Sequence, residues 1–265
     1  MAKSKPTLSL MVTTYNSEEK LNLYLQSALR QRLLPDEILV ADDGSKEPTR
    51  LLVEEFARCS PIPIRHIWHE DDGFRLTVIR NMAIAAAQGE YIIQTDGDLL
   101  LHPDFVKDHA EAARRGFLAS GSRLMLSPAL TEKILRGEQS PEISLFTPGV
   151  QNRLNGLHLP GLGRLLRTYK SHRVRGCNMA FWRDEIIAVN GYNEEMTGWG
   201  AEDFELAIRM RNAGFRQQTL KFCAITAHLY HPERKGDRLT INQELQRRAE
   251  VEHLTRCEKG VTQYL

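Results

Sequence analysis

TLSLMVTTYNSEEKLNLYLQSALRQRLLPDEILVADDGS, residues 7–45, decides the architecture of this chain. Residues 7–15 form an apolar run that ends in the polar residues TTYN. Residues 17–32 then place apolar side chains at helical spacing behind Ser17, a candidate N-cap. A second apolar run begins at Asp36 and ends in Asp42, Asp43, Gly44 and Ser45. Strand, helix, strand is one βαβ unit, and the rhythm continues. A helix is predicted over 48–59, a strand over 63–70, a helix over 76–89 that stops at Gly89, and a strand over 90–98. This alternation predicts an α/β fold with a mostly parallel, Rossmann-like central sheet flanked by helices. Ligands of such sheets bind beyond the carboxyl ends of the strands. The clusters Thr13–Asn16, Asp42–Ser45 and Thr95–Asp98 all fall there and should share one crevice.

Beyond residue 103 the alternation loosens. A helix over 102–116 and a strand over 117–127 precede a stretch, 137–175, broken by proline and glycine. Regular patterns return with a strand over 176–183, a helix opening at Ala201, a strand over 215–229 and a polar helix over 239–258. No repeat or low-complexity segment is present.

The totals narrow the function. With 42% hydrophobic and 26% charged residues the composition is that of a soluble globular protein. A net charge of +1 gives no global field for nucleic acid, so electrostatic recognition must be local. Cys59, Cys177, Cys223 and Cys257 are too scattered for zinc or redox pairs and read as reduced thiols, which predicts a cytoplasmic setting. The first twenty residues lack the pattern of a signal peptide, and no apolar run is long enough to span a bilayer. Attachment to the inner face of the plasma membrane stays open.

Several clusters can carry chemistry. Asp96 and Asp98 in TDGD stand two residues apart just past a strand, where a turn at Gly97 lets both face one point; paired hard oxygen donors suit Mn²⁺ or Mg²⁺ held with a diphosphate. The bland alternative is an Asp-Gly turn. In ADDGS, Asp43 can accept hydrogen bonds from a base edge and Asp42 can position the loop. Tyr15 offers a ring for stacking and Thr13 a polar contact. Arg75 and Arg80 lie near a helix start, where arginine suits phosphate. His228 and His231, after the last strand, can add imidazole to a mixed nitrogen and oxygen site, and Arg234 and Lys235 follow them. GWGAEDFEL, residues 198–206, sets Trp199 between two glycines and Glu202 and Asp203 at a helix start, where capping would need only one of these side chains. Residues 151–175 hold Arg153, Arg164, Arg167, Lys170, Arg173 and Arg175 and no acid. Their short apolar stripe suits peripheral membrane contact, and a mobile loop over the active site is an equal reading.

Taken in order, VTTYN, ADDGS, FRLTVIRNMAIAAAQGEYIIQTDGD, GCNMAFW and GWGAEDFEL resemble family 2 glycosyltransferases of the GT-A fold. The second half resembles the galactosyltransferase-type segment found in chondroitin-polymerase-like enzymes. The likeness covers residues 7–232 and is nearest to bacterial enzymes that build lipopolysaccharide or surface polysaccharide. It implies one domain with a donor-binding half, 1–101, an acceptor-binding and catalytic half, 102–236, containing a basic insertion at 137–175, and a helical tail, 237–265. It implies a UDP-sugar donor contacted by Thr13, Tyr15, Asp43, Arg80 and Asp96. Asp98 and His228 would hold Mn²⁺, with His231 an open alternative to His228. Trp199 and Glu202 would bind a glycan or lipid-linked glycan acceptor, and Asp203 would be the base of an inverting hexose or N-acetylhexosamine transfer. A sugar nucleotidyltransferase, which would usually carry a glycine-rich basic loop in place of TTYNSEEK, and a non-catalytic carbohydrate-binding protein are the competing readings.

Overall fold

The computed structural model describes residues 5–169, 174–232 and 238–265. Lys170 and Arg173 of the basic stretch, and Arg234 and Lys235, lie outside the described residues.

The first half follows the predicted rhythm: β1 (Leu8–Thr14), α1 (Glu18–Leu29), β2 (Glu37–Asp42), α2 (Glu47–Cys59), β3 (Ile64–Trp68), α3 (Leu76–Ala86) and β4 (Tyr91–Asp96). β1 is central, parallel to β2 on one side and β4 on the other, and every one of its residues is buried. Its alternation divides the core. Leu8, Leu10 and Val12 pack with Leu21, Tyr24 and Leu25 of α1, while Met11 packs with Ile79 and Ala83 of α3 on the opposite face. Ser17 occupies the N-cap position of α1 but makes no capping bond through its side chain; its Oγ is not what starts the helix. The Ser17 carbonyl accepts from Leu21 N instead.

The second half runs β5 (Leu99–Leu101), α4 (Phe105–Ala112), β6 (Phe117–Ser120), β7 (Ser122–Leu126), α5 (Pro128–Leu135), β8 (Val150–Gln151) and α6 (Pro160–Leu165). It continues through β9 (Asn178–Trp182), α7 (Arg183–Ala188), α8 (Glu202–Asn212), β10 (Arg216–Thr219), β11 (Ile225–His228) and α9 (Leu239–Val251). Two sheets result, a seven-stranded one ordered β10-β6-β9-β4-β1-β2-β3 and a four-stranded one ordered β5-β11-β7-β8. The large sheet takes strands from both halves of the chain, and only β9 runs antiparallel to its neighbours.

Two strands predicted as continuous are in fact broken, and each break moves the chain between sheets. Residues 117–127 divide at Gly121 into β6 and β7, and residues 215–229 divide into β10 and β11. A buried asparagine explains the break. Asn178 Nδ2 donates to the carbonyls of Ser122 (3.1 Å) and Ala224 (2.9 Å), and His109 Nε2 lies 2.9 Å from its Oδ1. Side-chain amide and backbone thus satisfy one another where the ladder cannot continue. The polar C-terminal helix also stops earlier than its pattern suggests, at Val251. The following residues return to the body, where Asn190 Nδ2 donates to Cys257 O and Asn190 Oδ1 accepts from Thr262 N. Among the described residues no helix is long and apolar enough to cross a membrane.

A Cβ at Gly121 would stand 2.4 Å from Asn178 Oδ1 and 2.5 Å from Ala224 O. Gly121→Ala should therefore destabilise the fold by roughly 1–3 kcal/mol, the usual cost of overpacking. Urea unfolding measures this, and an unchanged midpoint would show that the crossover tolerates bulk.

Candidate active site

The three polar strand ends meet as expected. β1 residues Thr13 and Thr14 sit in register with Ala41 and Asp42 of β2, and Thr13 also with Asp96 of β4. Thr13 Oγ1 donates to Asp96 Oδ1 at 2.8 Å. Asp42 Oδ1 accepts from Ser45 N and so shapes its loop, while Ser45 Oγ accepts from Asn16 N.

Arg80 joins this edge to the second half of the chain. It is 1% exposed, and a guanidinium keeps its charge even when buried. Its Nη2 lies 3.3 Å from Asp96 Oδ1, and its Nη1 lies 3.0 Å from Asp203 Oδ1 and 3.4 Å from Glu202 Oε1. The guanidinium also stands over the Tyr192 ring, 5.1 Å from its centroid. Arg80 was expected at the base or diphosphate; its direct partners here are the three carboxylates. Burial, with the neighbouring charge of Asp203, pushes the Glu202 carboxyl up to about 7.

Asp203 opens α8 and is held on one oxygen. Tyr192 Oη lies 3.0 Å from Asp203 Oδ1 and 2.9 Å from Gln94 Oε1. On the other side Gly176 makes room, because a Cβ there would stand 1.8 Å from Asp203 Oδ2. Tyr192, Gln94 and Gly176 escaped the sequence reading. Gln94 did carry a signal, as a polar residue inside the otherwise apolar run YIIQT.

Trp199 is 44% exposed on a loop with unusual backbone geometry: Gly198, Gly200 and Ala201 have φ of 74°, 105° and 72°. The loop is fastened at both ends. Gly198 N donates to Phe74 O, and buried Asn242 of α9 donates through Nδ2 to Thr197 O (3.1 Å) and Gly200 O (3.0 Å). Nothing in the polar tail sequence marked Asn242 for this task.

A second cluster lies beside the first. β11 pairs antiparallel with β5, which sets His228 opposite Leu99, next to the TDGD turn. His231 Nε2 is 3.1 Å from Asp98 Oδ2 and His228 Nε2 is 3.6 Å from Asp98 Oδ1, so both histidines reach the carboxylate. Candidate donor atoms of all three residues fall within 4.8 Å of one another. Asp98 Oδ1 and His228 Nδ1 are buried without a hydrogen-bond partner, which fits a site built for a cation. Burial lowers the His228 imidazole's affinity for a proton and so favours the neutral, ligating form.

Asp43 anchors a third group. It is buried, accepts from Arg75 N at 3.1 Å, lies 3.1 Å from His69 Nε2, and is pushed up to about 6 by burial. Nearby, Tyr15 Oη donates to Asp71 Oδ2 at 3.0 Å. Thr13, Arg80, Asp96, Glu202 and Asp203 thus form one cluster, and Asp98, His228 and His231 a second beside it.

Residues 9–184 match the family described as glycosyl transferase family 2, two-thirds of the chain. The chain belongs to glycosyl transferase family 2. A further match, to the N-terminal domain of galactosyltransferase, covers residues 164–233. Among relatives of this family 2 chain, the chondroitin synthase of Escherichia coli is 26% identical over 248 residues, 86% of this chain but 35% of that protein. The uncharacterized glycosyltransferase YfnE of Bacillus subtilis is 33% identical over 260 residues, 84% of this chain and 65% of that protein. Validoxylamine A glucosyltransferase of Streptomyces hygroscopicus is 27% identical over 227 residues, 79% of this chain and 49% of that one. The chain thus spans between a third and two-thirds of these relatives' lengths. The fold is GT-A. The mannosyltransferase PcManGT of Pyrobaculum calidifontis, solved with GDP-Man and Mn²⁺, superposes with a TM-score of 0.61 at 20% identity, covering 88% of this chain and 59% of that one. GalNAc-T7, solved with UDP, GalNAc and Mn²⁺, gives 0.65 at 16% identity, covering 87% and 45%. Family membership sets aside the nucleotidyltransferase reading.

Because the folded-state pKa of Glu202 is raised from its free value of 4.5 to about 7, the folded state holds that proton more tightly. Its contribution to stability is complete below 4.5 and is lost as pH rises through about 7. Glu202→Gln should therefore melt several degrees above the parent at pH near 8, with the curves converging near the free carboxyl pKa, since a kcal/mol moves Tm by about 2–4 °C in a protein of this size. A difference independent of pH would contradict the assignment.

Proposed function

We propose that the protein is an inverting, metal-dependent glycosyltransferase that moves a hexose or N-acetylhexosamine from a UDP-sugar to a hydroxyl of a glycan or lipid-linked glycan, in the making of bacterial surface polysaccharide or lipopolysaccharide. The observation that carries this reading is Arg80, one buried guanidinium bound to a carboxylate from the donor edge, Asp96, and one from the start of α8, Asp203. Relatives named as chondroitin synthase and hyaluronan synthase support a polysaccharide product. The nucleotide complexes of the structural neighbours support a nucleotide-sugar donor.

In this reading Tyr15 stacks on the base, while Thr13 and Asp43 fix the uridine and Asp96 faces the ribose. Asp98, His228 and His231 would hold Mn²⁺ or Mg²⁺, which when bound neutralises charge on the diphosphate. Asp203 is the base. With Oδ1 tethered to Arg80 and Tyr192, Oδ2 receives the proton of the acceptor hydroxyl as its oxygen attacks the anomeric carbon. Attack comes from the face opposite the bond to the diphosphate, which breaks with its electron pair leaving on UDP, so the configuration inverts. Arg80 contributes by fixing the base and by offsetting the negative charge of Asp96 at the donor edge. Trp199 offers an apolar face to a sugar ring, and Glu202, kept partly protonated near neutrality, can donate to a sugar hydroxyl.

Asp203→Asn should retain UDP affinity and lose transfer by about two orders of magnitude or more; near-parental turnover would remove Asp203 from the mechanism. In calorimetry the parent should bind UDP tightly only with Mn²⁺, and Asp98→Ala should bind it equally weakly with and without the ion. Metal-independent binding by the parent would disprove the assigned cation site.

A further inference from the structure

One stretch of this chain is basic without any acid. Net charge is +1 overall, yet residues 151–175 hold six basic residues and no acid, and the next acid after Glu142 is Asp184. Within this acid-free stretch large apolar side chains point to solvent: Phe146 is 86% exposed, Leu154 75% and Leu165 83%.

Helix α6 gives the physical reason. Gly163 lies against the Lys221 carbonyl, where a Cβ would stand 2.2 Å from the oxygen, so this side of the helix is pressed to the body. At about 100° per residue, Leu165 stands about 200° round the helix from Gly163 and therefore faces away from the protein. Leu162 and Leu166 occupy one flank, 43% and 45% exposed. Arg164, on the other flank, is paired with Glu111 of α4. Nothing within the fold among the described residues covers Leu165.

We propose that α6 and the loops around it dock on a bilayer containing anionic lipid, with Leu165 and its neighbours entering the interfacial layer and Arg153, Arg164 and Arg167 meeting the head groups. Aliphatic side chains on a stretch that carries six cations and no acid of its own, with Glu111 of α4 reaching only Arg164 among the described residues, complement a surface of negative charge. A protein partner would more commonly present a rim of both signs. Gly176, the residue that backs Asp203, follows α6 in the sequence. Docking there would hold the cleft close to a membrane-borne acceptor. The surface itself rests on exposure and charge alone, independent of the transfer reaction.

Co-sedimentation of the full chain with phosphatidylcholine vesicles, with and without phosphatidylglycerol, tests this without any activity readout. The parent should pellet with the anionic vesicles and be released by high salt. Leu165→Glu should weaken that partition about tenfold while leaving the melting temperature unchanged; Leu165→Ser provides a milder second variant. Val251→Glu, at a 65% exposed apolar site on α9, should bind like the parent. Equal pelleting of parent and both Leu165 variants, or no pelleting with anionic vesicles, would overturn the proposal. Equal binding to phosphatidylcholine alone would overturn the anionic requirement. Because vesicle binding is measured without substrate, an inactive but membrane-bound protein would count against the transferase reading and not against this one.

Discussion

A cation buried at 1% exposure must be surrounded by acceptors, and Arg80 imposes that demand on three elements at once. It projects from α3 and draws Asp96 at the end of β4 and Glu202 and Asp203 at the start of α8 to a common point. Without the guanidinium these carboxylates would repel one another; without the carboxylates the guanidinium could not stay buried. Tyr192 and Gln94 complete the arrangement, and Gly176 leaves the space that Asp203 occupies. The closeness of the end of β4 and the start of α8 is therefore an electrostatic necessity of this core.

A second constraint acts through the passage of the chain between the sheets. β6 and β10 belong to the large sheet, β7 and β11 to the small one, and both crossings are tied by the same Asn178 side chain. The crossing directs β11 against β5, and this pairing carries His228 and then His231 to Asp98. Alternation along β11 does the rest. Ala227 turns to a cavity of about 450 Å³ on the far face of the small sheet, lined also by Leu100, Leu124 and Ile225, while His228 turns to Asp98.

The loop bearing Trp199 shows how the tail joins the site. Its left-handed backbone is open to Gly198 and Gly200 but would be costly at Ala201 if unsupported. Support comes from the backbone of Phe74, which precedes the Arg75 amide bound to Asp43, and from Asn242 of α9. The loop bearing Trp199 is thus in hydrogen-bonded contact with the segment next to Asp43 and with the C-terminal helix.

The sequence by itself determined the α/β class, the order of the first seven elements and the strand-end clusters, because a fully buried parallel strand must be apolar until its end and polar where it reaches the cleft. It also marked Asp96, Asp98, Glu202, Asp203 and the two histidines, since capping or turn formation alone did not account for so many chemically capable side chains in these patterns. Only the tertiary structure decided that residues 117–127 and 215–229 each divide between two sheets, for apolar runs look the same whether or not a distant Asn178 interrupts their ladder. It decided that Arg80 binds carboxylates, that both histidines reach Asp98, and that Gly176, Tyr192 and Asn242 support the site. Each of these depends on contacts between residues far apart in the chain, where local spacing holds no information and packing, charge pairing and hydrogen bonding in the folded state select the partners.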